Sequence, residues 1–177
     1  MSVRAGSDGR MEWGDACREQ ADDVLRVDVA GGRFAGLRLD HLGIAVKSIA
    51  AARGFYEALG LTVSHEETVE HEKVKTAMLP LGESRIELLE ATEEDSTIGR
   101  FLAKRGEGLH HVALRIAEVD GVDAMFDRLK SEGVSLASDA VRTGAGGHRY
   151  FFVHPESTGG VLVEIVGDAV DSKREGK

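Results

Sequence analysis

One pairing of residue types occurs twice in this chain: a histidine that opens an apolar strand, then a glutamate near the end of a later apolar strand. The first copy is His41 in Asp40-His41-Leu42-Gly43-Ile44-Ala45-Val46, with Glu87 in Arg85-Ile86-Glu87-Leu88-Leu89. The second is His111 in His110-His111-Val112-Ala113-Leu114-Arg115-Ile116, with Glu164 in Leu162-Val163-Glu164-Ile165-Val166. Two imidazoles and two carboxylates suit Mn, Co, Ni, Fe or Zn, and ligand softness alone does not choose among these. Four protein ligands on an octahedral ion leave two adjacent positions for water or a bidentate substrate. A lone buried histidine is more often a core residue than a ligand, but four ligand types at matching repeat positions shift that balance. A glutamate at the end of an apolar strand is costly to bury without a partner, and a shared cation would partner both.

The elements that must position these residues also repeat. Leu37 to Val46 reads as a strand, with Leu42, Ile44 and Val46 on one face and His41, Gly43 and Ala45 on the other. Ser48 caps a helix through Leu59, whose stripe is Ala52, Phe55, Tyr56 and Leu59 and whose stop is Gly60. Strands follow at Leu61 to Glu66, Val74 to Pro80 and Ser84 to Glu90. The second half runs in the same order: strand His110 to Ile116, a helix from about Val119 to Ser131, then strands near Val134 to Leu136, Tyr150 to Val153 and Gly160 to Val166. The stripe of its helix is Val122, Met125, Phe126 and Leu129. A bridging helix capped by Asp95 or Ser96 and stopped by Gly106 joins the halves. The His-to-Glu separations differ, and the extra length in the second half fits the Gly-rich loop Gly144 to Gly147.

The expected fold is therefore α+β: two βαβββ modules in tandem forming a half-open mixed-sheet barrel, with helices outside and a metal site inside. Module one is residues 37–91, the bridging helix 95–106 and module two 108–167, with a C-terminal tail at 168–177. Residues 1–36 read as a disordered or loosely docked extension in which Met11 to Val29 could form a short amphipathic helix.

Bulk properties narrow the function. A formal net charge of -9 argues against nucleic acid as a partner, which needs basic patches. No apolar run approaches the roughly 20 residues that span a bilayer, and the N-terminus lacks a signal-peptide core. The single cysteine, Cys17, excludes an intrachain disulfide and fits a reducing, cytoplasmic setting. Strand alternation puts His110 on the face opposite His111, outside the cavity. His65, His71, His148 and His154 lack repeat partners and read as surface or loop residues, the last two near the rim. Gly144-Ala145-Gly146-Gly147-His148-Arg149 is not a nucleotide-hydrolase phosphate loop. It reads as a turn or a loop closing over a ligand, with Arg142 or Arg149 placed to touch an anion.

Taken together, these segments resemble the methylmalonyl-CoA epimerase branch of the vicinal-oxygen-chelate, or glyoxalase-like, superfamily. The resemblance rests on the two strand-opening histidine segments, Ile86-Glu87-Leu88-Leu89-Glu90, Asp95-Ser96-Thr97-Ile98, Gly106-Glu107-Gly108-Leu109-His110-His111, the Gly-rich loop, and His154-Pro155 through Glu164. It covers about residues 38–167. It implies paired βαβββ modules, usually in a homodimer, and a divalent metal held by His41, Glu87, His111 and Glu164. Cobalt is the metal it favours, with manganese, nickel or zinc as substitutes. It further implies an acyl-CoA substrate, with interconversion of (2R)- and (2S)-methylmalonyl-CoA by proton abstraction and return at C2 through an enolate. Inversion requires an acid/base group on either face of C2. The expectation places Glu164 at one face and Glu87 at the other, with Glu72 and Glu67 as substitutes. Two departures matter: some members carry Gln in place of Glu87, and some carry a proposed catalytic Glu where this chain has Thr76, which cannot act as a base. A glyoxalase I-type lactoylglutathione lyase and a non-catalytic small-molecule-binding module of the same fold are the alternatives.

Overall fold

The computed structural model describes residues 3–5, 11–13, 36–116, 121–144 and 147–167. The chain divides into two compact units, Met1–Ala35 and Gly36–Lys177. In the first, β1 (Val3–Ala5) and β2 (Met11–Trp13) pair antiparallel. The start of the helix expected over Met11 to Val29 is thus a strand, and its remainder lies outside the described residues.

The second unit carries one eight-stranded mixed sheet. Its elements are β3 (Arg38–Val46), α1 (Ile49–Ala58), β4 (His65–Val69), β5 (Val74–Leu81), β6 (Ser84–Ala91) and α2 (Thr97–Arg105), followed by β7 (Gly108–Ile116), α3 (Gly121–Ser131), β8 (Arg142–Thr143), β9 (Arg149–Val153) and β10 (Leu162–Gly167). The strand order is β4-β5-β6-β3-β7-β10-β9-β8. Each module contributes a half, β6 beside β3 in parallel and β10 beside β7 in parallel, and the halves join where β3 and β7 pair antiparallel. This is the half-open barrel of two βαβββ modules that the duplication predicts.

Alternation along the strands assigns the two faces. On the outer face, Val46, Ala77, Leu79, Ile86 and Leu88 pack with Ile49, Ala52 and Tyr56 of α1. On the other module, Phe151 is fully buried against Phe126 of α3, with ring centroids 5.2 Å apart. Ser48 caps α1 by accepting from the Ala51 amide, and Ser96 caps α2 by accepting from Gly99. Gly106 ends α2 at φ 77°, a conformation that costs a residue with a side chain.

Four details depart from the sequence expectation. Leu61 and Val63 tuck under α1 as partly buried core residues, so strand pairing starts only at His65. Phe55 and Leu59 are each 65% exposed, because α1 turns Ile49, Ala52 and Tyr56 inward. Val134 to Leu136 forms no strand: Leu136 makes one isolated bridge to Val153, and the eighth strand comes later as Arg142–Thr143. Finally, β3 and β7 are not regular, and their irregularity shapes the site.

Candidate metal centre

The four sequence-predicted ligands converge on the inner face of the sheet, on two neighbouring rungs of the four central strands. One rung reads Glu87, Gly43, His111 across β6, β3 and β7. The next reads His41, Ala113, Glu164 across β3, β7 and β10. In both, the smallest residue sits between an imidazole and a carboxylate, leaving a hollow into which the long side chains fold. Gly43 has no room for more: a Cβ there would lie 2.2 Å from Cε1 of His111.

His41 Nε2 and His111 Nε2 stand 3.0 Å apart, with their rings edge to face at 84°. Oε2 of Glu87 lies 3.3 Å from His41 Nε2 and 3.6 Å from His111 Nε2. Oε2 of Glu164 lies 3.3 Å and 3.4 Å from the same two atoms. Ligand atoms held about 2.1 Å from a common ion lie about 3.0 Å apart at right angles and about 3.4 Å apart at tetrahedral angles. The imidazole–imidazole and imidazole–carboxylate spacings, 3.0–3.6 Å, fall in that range or just beyond it, so the donors fit a divalent cation. Among the described residues, His41, Glu87 and His111 offer donor atoms that all lie within 4.8 Å of one another.

Two bulges orient the histidines. In the β3–β7 ladder, Leu39 faces Leu114 and His41 faces Ala113, which leaves Asp40 without a rung. Likewise Gly43 faces His111 and Ile44 faces Leu109, which leaves His110 without one. A bulged residue escapes strict alternation, so Asp40 and His110 turn toward the histidines that follow them. Asp40 Oδ2 accepts from His41 Nδ1 at 3.0 Å, and His110 Nδ1 is 2.9 Å from His111 Nδ1. Both contacts occupy Nδ1 and so reserve Nε2 for the centre, the usual arrangement behind a ligand histidine. His110 lines the cavity, contrary to the alternation argument, and packs against Phe101 at 5.0 Å.

Asp40 is itself held by Arg85 Nη2, 2.6 Å from Oδ1, and by Nε and Nη2 of Arg115, each 2.7 Å from Oδ1. Burial alone would raise the Asp40 carboxyl, but hydrogen bonds from His41, Arg85 and Arg115 hold it well below the usual carboxylate range. Burial would likewise lower His41, yet Asp40, Glu164 and Glu87 together raise it to about 11 in the metal-free protein. Among the described residues no carboxylate stands behind His111, and burial with the neighbouring positive charges of His41 and His110 lowers it well below the ordinary value. Burial raises Glu164 despite the hydrogen bond from His41. The two half-sites match in ligands and differ in their backing.

A cavity of about 1280 Å³ opens above the four candidate ligands, lined by Thr76, Met78, Tyr150 and Phe152 among others. Arg142 lines it as expected, whereas Arg149 turns away to Asp123, Nη2 to Oδ1 2.5 Å. His65, His71 and His148 are on the wall, and exposed His154 caps a short 3₁₀ turn. The middle of the Gly144–Gly147 loop lies outside the described residues. Asp40, Arg85, Arg115 and His110 are the residues that reading the strands missed. A polar residue directly before each ligand histidine was the available signal.

Residues 40–152 match the model of the glyoxalase/bleomycin resistance protein/dioxygenase superfamily. The mitochondrial methylmalonyl-CoA epimerase of Homo sapiens is 37% identical over 130 residues, 72% of this chain and 72% of that protein. A solved methylmalonyl-CoA epimerase in complex with methylmalonyl-CoA and NH4+ is 41% identical, with TM-score 0.69 over 75% of this chain and 95% of that one. A Streptomyces coelicolor methylmalonyl-CoA epimerase variant in complex with 2-nitronate-propionyl-CoA gives the same identity, coverage and TM-score. The chain belongs to the glyoxalase/bleomycin resistance protein/dioxygenase superfamily and, within it, to the methylmalonyl-CoA epimerases.

Proposed function

We propose that this protein interconverts the 2R and 2S epimers of methylmalonyl-CoA at a single divalent metal site made by His41, Glu87, His111 and Glu164. The observation that carries the reading is the convergence of one imidazole and one carboxylate from either module, each carboxylate oxygen lying 3.3–3.6 Å from both imidazole nitrogens, which are 3.0 Å apart. The solved relative in complex with methylmalonyl-CoA supports the acyl-CoA substrate. A divalent ion held there, cobalt first and manganese, nickel or zinc in its place, supplies Lewis-acid stabilisation of the charge that develops on the thioester oxygen as C2 loses its proton.

The rest is done by the chain. Asp40 and His110 fix the ring orientations of His41 and His111, and the Arg85–Arg115 pair fixes Asp40. Glu164, by loosening from the ion, would take the C2 proton at one face. Inversion needs a second group at the opposite face, for which the duplication nominates Glu87. Purified metal-loaded protein should convert (2S)- to (2R)-methylmalonyl-CoA in a chirality-resolving assay and leave the hemithioacetal of methylglyoxal and glutathione untouched. Turnover of the hemithioacetal without epimerisation would instead make it a lactoylglutathione lyase.

A further inference from the structure

The ladder that places the two glutamates also pairs two other residues across the cavity. On β5 and β6, Met78 faces Glu87 and Thr76 faces Leu89. On β9 and β10, Phe152 faces Glu164 and Tyr150 faces Val166. Thr76 and Tyr150 therefore hold equivalent places, one inward-facing rung beyond the carboxylate in either module. Both are buried, at 5% and 7% exposure, and both line the cavity.

Their side chains differ in reach. The Tyr150 phenol extends to module one, where Oη donates to Oε1 of Glu72 at 2.7 Å. Glu72 lies on the 3₁₀ turn Glu70–Glu72, just before β5, and lines the same cavity. One ring separates Tyr150 from the ligands: Phe152 is 5.8 Å from Tyr150 and 5.7 Å from His111. Directly across the strands, the titratable partners of Thr76 and Tyr150 are Glu67 on β4 and Arg142 on β8.

We infer that Tyr150 and Glu72 form the second proton station of the epimerase, opposite Glu164, an assignment that rests on the epimerase reading. As the C2–H bond breaks, its electron pair stays on the substrate as the enolate. The proton passes to Tyr150 Oη, and the phenolic proton passes along the existing hydrogen bond to Oε1 of Glu72. Delivery to C2 is the same relay reversed, so protons and charge balance in both directions. Burial, and then the Glu72 carboxylate, raise the phenol above its ordinary value, so Tyr150 conducts a proton instead of standing as a free phenolate. Glu87 is then a ligand only. This resolves a difficulty of the symmetrical scheme, in which each glutamate must leave the ion to act as a base, so that one turnover would strip the ion of both anionic ligands.

The test compares metal-loaded wild type, Tyr150→Phe, Glu72→Gln and Glu67→Gln. Interconversion is measured alongside C2 deuterium exchange starting from each pure epimer. The inference expects Tyr150→Phe and Glu72→Gln to lose interconversion by about 100-fold or more. Both should keep one equivalent of metal and, within about threefold, the exchange from the one epimer that Glu164 serves. Glu67→Gln, which removes the rival carboxylate on the cavity wall, should impair interconversion far less than either. Unimpaired interconversion in Tyr150→Phe, an equal fall in exchange from both epimers, or a loss found only in Glu67→Gln would overturn it. Wild-type protein that neither exchanges nor interconverts would bring down the epimerase reading itself, and this assignment with it.

Discussion

Replacing Gly43 by alanine isolates the packing that makes the site. The added methyl would lie 2.2 Å from Cε1, 2.5 Å from Nδ1 and 2.6 Å from Nε2 of His111. Carbon contacts settle near about 3.5 Å, so the ring must retreat by roughly 1.3 Å. Metal sites tolerate changes of about 0.2 Å in ligand distance, which the retreat exceeds several-fold. It would also pull His111 from His110 and from Nε2 of His41. Gly43 is not in the left-handed region, so alanine brings no backbone strain. In an open strand position it would stabilise the chain by about 0.5–1 kcal/mol. The expected outcome is therefore asymmetric. Metal-free Gly43→Ala should melt within about 1 kcal/mol of wild type. Its metal affinity should fall by about 100-fold, the upper end for losing an ordered ligand shell. Chelator-competition titration with cobalt or zinc reads the affinity, and calorimetry of both forms reads the stability. One equivalent of metal bound at wild-type affinity would refute the claim that His111 is seated on Gly43 to meet the ion.

Other outcomes follow from the same geometry. Asp40→Asn removes the carboxylate behind His41 and leaves Arg85 and Arg115 facing a neutral amide, so metal affinity should fall about 10–100-fold, read by the same titration. The pH dependence of metal-free stability has two arms. His41, raised to about 11, stabilises fully below its ordinary 6.5, and that contribution fades as pH rises toward 11. His111, lowered, loses its contribution as pH falls below 6.5. The melting temperature of metal-free protein should fall as pH rises above 6.5, where His41 and the raised Glu164 both lose their contributions, and fall in acid as His111 and Asp40 take up protons. The alkaline decline should vanish once metal replaces the proton, and a flat metal-free profile would contradict the assignment. Phe151→Ala, at a fully buried position under α3, should cost about 3–5 kcal/mol in chemical denaturation and leave metal stoichiometry at one.

The convergence of His41, Glu87, His111 and Glu164 was legible because duplication supplies an internal control: His41 and His111 each take the fourth place of a strand, and Glu87 and Glu164 each lie inside its parallel neighbour. The sheet followed from the same repeat. Alternation failed at Asp40 and His110, because a bulge is a property of two strands together and only their pairing reveals it. Helical spacing nominated Phe55 and Leu59 for the core, but whether a face finds a partner depends on the neighbouring sheet. The Tyr150–Glu72 bond joins residues 78 positions apart, and no local pattern encodes it.

The central claim is that two half-sites hold one ion and that C2 chemistry depends on it. Proton nuclear magnetic resonance of methylmalonyl-CoA in D2O, with metal-loaded protein, with protein stripped by chelator, and with stripped protein given back one equivalent of cobalt, addresses it directly. The expected result is loss of the C2 proton signal in the first sample, its persistence in the second and its loss again in the third. Equal exchange in stripped and loaded samples, or none in any sample that holds the metal, would contradict it.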